Sequence, residues 1–195
     1  MTRILTARQL TREAFAPFGE VLDANGWQNH YPINDGKCER YHDMATAEAT
    51  GTNARVILSI FKGTPYALPL KLTLVERHPF GSQAFMPLQP RLYLVIVAHD
   101  TPDGPAEPEA FIAGPGQGVN YPRNLWHAVL TPLSQPQDFL VVDRAGDEKN
   151  LEEFHFSEPY EVRLPEPDGP TLRDDLPGQG RPQRKVFTPR PLRNG

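Results

Sequence analysis

The sequence has a single cysteine, Cys38, so no disulfide can form within the chain. Its longest apolar run, Leu92 to Ala98, is far shorter than the ~20 residues of a membrane-spanning helix, which excludes such a span. The opening residues Met1-Thr2-Arg3-Ile4-Leu5 give way to polar ones before any signal-peptide apolar region develops. Positive charge is not in excess: 20 Lys and Arg against 24 Asp and Glu give a net charge of -4, so no global basic field exists to hold nucleic acid or an anionic membrane. Extended helical periodicity is also missing, and 22 prolines argue against a helical bundle. These absences lead to the expectation of a cytoplasmic protein without nucleic-acid or membrane partners.

What remains is a run of short β-like segments. Ala54 to Phe61, Leu70 to Glu76, Gln83 to Met86, Leu92 to Ala98, Trp126 to Leu130 and Phe139 to Asp143 are each bounded by Gly, Pro, Asn or Asp. Leu92 to Ala98 is apolar on both alternating faces and predicts a buried central strand. One short N-terminal helix is predicted, with Thr6 as its cap, Gln9 completing a capping box, and Pro17 and Gly19 ending it. The fold class is therefore mainly β, an antiparallel sandwich or barrel. Residues 1–157 make up the expected domain. Residues 158–195 are rich in proline, poor in large apolar residues and basic from Arg181 onward, and form a predicted tail or arm with Val186 and Phe187 as anchor.

Four segments concentrate reactive side chains. Asp35-Gly36 signals a turn, after which Glu39, Arg40, Tyr41, His42 and Asp43 follow in five positions. On a strand through Leu74 to His78, Glu76 and His78 share one face, and a hairpin through Pro79 to Ser82 can return Gln83 beside them. The third segment runs Gly116-Gln117-Gly118-Val119-Asn120-Tyr121-Pro122-Arg123-Asn124-Leu125-Trp126-His127; no Lys-Ser or Lys-Thr follows its glycines, so it is not a phosphate loop. In the fourth, Asp143-Arg144 ends an apolar strand, where an ion pair is the plain expectation.

The second and third segments resemble the two motifs of cupin barrels. Glu76, His78 and Gln83 stand where the first motif has two histidines and an acid. Gly116, Pro122 and His127 match the second, with Asn124 in place of its second glycine. Whole strings, including Glu39-Arg40-Tyr41-His42-Asp43, Glu76-Arg77-His78-Pro79, Gly118-Val119-Asn120-Tyr121, Trp126-His127 and Val142-Asp143-Arg144, resemble the ureidoglycolate lyase family over about residues 1 to 155.

The resemblance implies a cupin-like antiparallel β-barrel (double-stranded β-helix), a homodimer, and elimination of urea from ureidoglycolate to give glyoxylate in allantoin and purine degradation. It implies a catalytic set of Glu76, His78 and His127, and a ligand set of Glu76, His78, Gln83 and His127 for a divalent metal such as nickel. No organic cofactor is needed for this chemistry. A bidentate arginine, Arg40 or Arg123, is expected on the substrate carboxylate, with Tyr41, His42 and Asn124 on the ureido group. Two other readings compete: an amidohydrolase that releases ammonia from the same substrate, and a non-catalytic cupin that binds a small acid. Product analysis separates the first, and binding without turnover marks the second.

Overall fold

Alternating apolar residues need a partner surface, and here strands supply nearly all of it. The structure, a computed structural model, describes residues 3–166. One sheet runs in the order Arg3–Thr6, Glu152–Arg163, Leu70–Arg77, Trp126–His127, Tyr93–Ala98, Glu109–Ala113, Arg8–Gln9. Its two end strands are neighbours in sequence. Arg3–Thr6 pairs in parallel with Tyr160–Arg163, and Arg8 and Gln9 pair in parallel with Phe111 and Ile112. Ala7 N donates to Arg163 O at 2.8 Å and Leu10 N to Ile112 O at 2.9 Å, so a single stretch of chain joins both edges and nearly closes the sheet on itself. The fold is thus mainly β and barrel-like, as expected.

A second sheet runs Glu20–Leu22, Gly118–Tyr121, Gln83–Pro87, Gln137–Ala145, Arg55–Gly63. The predicted central strand, Tyr93–Ala98, is buried along its whole length. Its residues divide by parity between two cores. Leu94, Ile96 and Ala98 pack with Leu72, Val75, Trp126, Tyr160 and Val162. Tyr93, Val95 and Val97 pack with Phe111 of their own sheet and with Phe85, Val119, Tyr121, Phe139 and Val141, which line the second sheet's inner face. Burying both faces explains why this strand reads as one unbroken apolar run. On the second sheet's outer face, Val56, Leu58 and Ile60 are 46%, 70% and 55% exposed and lie opposite Arg144, Val142 and Leu140.

Two expectations are corrected. Thr6 caps no helix; it lies in the first strand, because ladder partners at both sheet edges outweigh a local capping signal. The short helix is Arg12–Phe15, capped by Thr11, whose hydroxyl accepts from Ala14 N at 3.1 Å. The strand Glu152–Arg163 also crosses position 158 and carries Tyr160 and Val162 into the core. Its ladder shifts register between His155 and Tyr160, and this irregularity accommodates Pro159. The basic stretch from Arg181 and the Val186-Phe187 anchor lie outside the described residues.

Candidate functional site

Strand pairing assembles the site. His127 lies directly across the ladder from Glu76, and Tyr121 across from Gln83. Glu76 and His127 therefore project from the first sheet on one face, toward Gln83 and Tyr121 of the second. The Tyr121 ring stacks on the His127 imidazole with centroids 4.5 Å apart, and the His78 ring lies 5.2 Å from it. Ligating atoms of Glu76, His78 and His127 all lie within 4.8 Å of one another, which makes the three a candidate metal-binding triad.

Each imidazole is held by a backbone carbonyl. His78 Nδ1 lies 2.6 Å from Asn150 O, and His127 Nδ1 lies 3.0 Å from Ala128 O. A carbonyl only accepts, so both Nδ1 atoms carry the proton and both Nε2 atoms present lone pairs. Those Nε2 atoms are buried without a hydrogen-bond partner among the described residues, and so is Gln83 Oε1. Buried orphans of this kind are uncommon, and three around one carboxylate suit a ligand. The Asn150 side chain adds a second clamp by accepting from Phe80 N at 2.7 Å.

Electrostatics separates the groups. Burial raises the Glu76 carboxyl above its ordinary value, an effect that His78 opposes and that Glu153 and Asp143 reinforce. Burial, followed by the nearby His78, pushes His127 down to about 3, with the bond to Ala128 opposing. His127 is therefore neutral at physiological pH. An unfolded chain takes up the His127 proton near 6.5, whereas the fold resists it down to about 3. Fold stability from this group is accordingly complete above about 6.5 and is lost as the pH falls toward 3. Glu76 acts in the opposite sense, favouring the fold while protonated and losing that contribution as pH rises through its raised value. In metal-free protein the melting temperature should fall on acidification through the His127 window, and His127→Phe should flatten that fall. An unaltered acid slope in the variant would contradict the assignment.

A cavity of about 460 Å³ opens beside the cluster, with Glu76 and Gln83 in its lining, apolar walls from Phe61, Phe85, Val129 and Leu130, and Lys62, Thr64 and Tyr66 on the Arg55–Gly63 side. The other expected site residues lie elsewhere within the chain. Arg40 and Tyr41 occupy a separate hairpin, His30–Ile33 with Cys38–Tyr41, where Arg40 sits over the Tyr31 ring. His42 meets Tyr31 edge-on. Arg123 engages Glu48 at 3.1 Å and the Thr50 hydroxyl at 3.3 Å. Asn124 stands nearer, its backbone N donating to His78 O at 3.1 Å. Its φ of 65° is left-handed, which accounts for asparagine where the cupin pattern has glycine. Arg144 pairs with Glu148, not with Asp143. Lys62 and Asn150 did not stand out in the sequence, and Tyr121 did so only as part of the string Gly118-Val119-Asn120-Tyr121, with no role of its own.

A barrel-like β fold that gathers a carboxylate and two imidazoles beside a small cavity is the build of an enzyme acting on a small molecule. The family model described as ureidoglycolate lyase matches residues 2–163, and the chain belongs to that family. It is 73% identical over 165 residues to the ureidoglycolate lyase of Mesorhizobium japonicum, covering 85% of this chain and 100% of that one. It is 58% identical over 164 residues to the ureidoglycolate lyase of a Chelativorans species, covering 84% and 99%. A third relative, ureidoglycolate lyase 2 of Rhizobium meliloti, is 51% identical over 158 residues, covering 81% and 96%.

Proposed function

We propose that this chain is a cytoplasmic ureidoglycolate lyase of allantoin and purine degradation, which eliminates urea from ureidoglycolate and leaves glyoxylate. The observation that carries the reading is the cluster of half-buried Glu76 and His78 with buried His127 in a chain 73% identical to a ureidoglycolate lyase. The reaction moves one proton. The C2 hydroxyl loses it as its oxygen becomes the aldehyde carbonyl, the C–N bond breaks, and the departing ureido nitrogen gains it. Glu76 suits both transfers, because burial raises its proton affinity toward that of a working base. Neutral His127 cannot serve as the acid; it accepts through Nε2 or ligates. His78, fixed by Asn150, directs its Nε2 the same way.

The donor set fits a divalent metal such as nickel: two imidazole lone pairs, a carboxylate, and the orphaned Gln83 oxygen. When bound, such an ion lowers the pKa of a coordinated hydroxyl. The chain's own residues hold the substrate, shape a dry wall and move the proton. Purified protein given racemic ureidoglycolate, with and without chelator, tests the reading. Urea and glyoxylate in equal amounts are expected; ammonia as first product, or tight binding without turnover, overturns it.

Three cations compete for the substrate carboxylate. Arg40 and Arg123 have the planar fork, and Lys62 has the cavity wall. We place the carboxylate at Lys62, with the arginines next. Lys62→Ala should raise KM about tenfold or more, on the scale of a lost charge-assisted hydrogen bond, whereas Arg40→Lys and Arg123→Lys should change it less. A KM unmoved by Lys62→Ala and raised by an arginine variant reverses the order.

We also propose a homodimer. The support is the exposed stripe of Val56, Leu58 and Ile60, since a bare apolar strand at a sheet edge invites a partner. Leu58→Asp should convert a sedimenting dimer to a monomer with its fold intact, and an unchanged dimer would move the interface elsewhere.

A further inference from the structure

Gln83 is 5% exposed and its amide has two chemically different ends. The nitrogen donates to Asp143 Oδ2 at 3.4 Å, and the oxygen is buried without a partner among the described residues. Asp143 is itself held in place, since its Oδ1 accepts from Arg144 N at 2.6 Å. An ionised carboxylate only accepts, so the amide must turn its NH₂ toward Asp143 and its oxygen away from it. Gln83 also lines the cavity, together with Glu76. A flipped amide would set oxygen against oxygen on the Asp143 side and offer the cavity an NH₂, which cannot ligate a cation.

We propose that Asp143 is a positioning residue that fixes the polarity of the Gln83 amide, so that the cluster of Glu76, His78 and His127 gains a fourth donor oxygen. This rests on the divalent-metal reading above. The bond to an anion also polarises the amide and makes its oxygen more negative. Glutamine in place of an acid is thereby explained: a second carboxylate at position 83 would face Asp143 directly, whereas an amide satisfies Asp143 with one end and serves the site with the other.

The test is a polarity swap read by calorimetric titration of metal-free protein with Ni²⁺, independent of turnover. Asp143→Asn in the wild-type background lets the Gln83 amide flip and should weaken Ni²⁺ binding about tenfold to a hundredfold, the usual scale for groups that orient ligands. In a Gln83→Glu background the same substitution removes a repulsion and should tighten binding. This reversal of sign is the signature, because a merely structural role would weaken binding in both. Should Asp143→Asn not fold, Asp143→Ala makes the same comparison, as it frees the orientation of the Gln83 amide in one background and removes the repulsion in the other. No effect of Asp143→Asn, or weakening in both backgrounds, overturns the positioning role alone. Wild-type protein that takes up no Ni²⁺ overturns the cation site with it, while the urea assay still decides the lyase reading separately.

Discussion

His127→Ala should lower turnover of ureidoglycolate by about 10²- to 10⁴-fold, the range in which a lost proton-transfer or ligating group falls. The size of the effect follows from how completely the imidazole is committed. His127 is 1% exposed, its Nδ1 proton is given to Ala128 O, and Tyr121 stacks on its face. Only Nε2 is left to act, and it acts as a lone pair, since the ring stays neutral down to about pH 3. His78→Ala should match it, because His78 is fixed in the same manner by Asn150. Chelator should slow the wild type to the level of these variants and slow the variants no further. A chelated wild type at full speed, with a pH profile that loses a limb in His127→Ala, would instead make the ring a proton acceptor. Full activity in both alanine variants would dismantle the site.

The second large effect lies outside the cavity. Arg144 has a side chain 1% exposed, yet it is fully engaged. Nε donates to Thr50 O at 3.0 Å, Nη1 to Glu148 O at 3.0 Å, and Nη2 pairs with the Glu148 carboxylate. The guanidinium also lies 5.3 Å from the Phe80 ring centroid. Glycines make the room: a Cβ at Gly81 would come within 2.4 Å of the Arg144 Cβ, and one at Gly146 within 2.2 Å of Nη2. Arg144→Met should cost about 3–5 kcal/mol, because it leaves the Thr50 and Glu148 carbonyl oxygens without their donor and breaks a buried hydrogen-bond network. For a chain of this size that lowers Tm by roughly 6–20 °C. Lysine should not rescue it, because one ammonium cannot serve Thr50, Glu148 and an aromatic face at once. Activity should fall with stability, since Phe80 is clamped by the same Asn150 that holds His78. An Arg144→Met protein that melts with the wild type would show that these loops hold without it.

The cluster itself was readable from sequence for a geometric reason. Glu76 lies near the end of the strand Leu70–Arg77 and His78 just past it, the turn that follows carries the chain into the second sheet at Gln83 instead of closing the expected hairpin, and a left-handed Asn124 turns the chain into the strand that carries His127. All of that is local, and local geometry survives in spacing. What the spacing does not encode is which surfaces meet. Arg40, Tyr41 and His42 form a chemically rich string, but the string is a separate hairpin whose docking no neighbouring residue reveals. Lys62 reads as one exposed charge at a strand end, and only the fold puts it in one cavity lining with Val129 and Leu130. Thr6 shows the opposite failure, a sound local capping signal overruled by partners more than a hundred residues away.

The way the first sheet closes sets a clock on folding. Arg3 and Tyr160, partners in the ladder, are separated by 157 residues. During synthesis the opening strand therefore emerges first and stays unmatched until nearly all of the described chain has left the ribosome. Contacts of such long range slow folding, because a large loop must close before any reward is gained. Until then the edge at Leu70–Arg77 lacks its Glu152–Arg163 neighbour and can recruit strands from other nascent chains. Yield on expression is thus governed by translation rate and temperature as much as by the finished protein's stability.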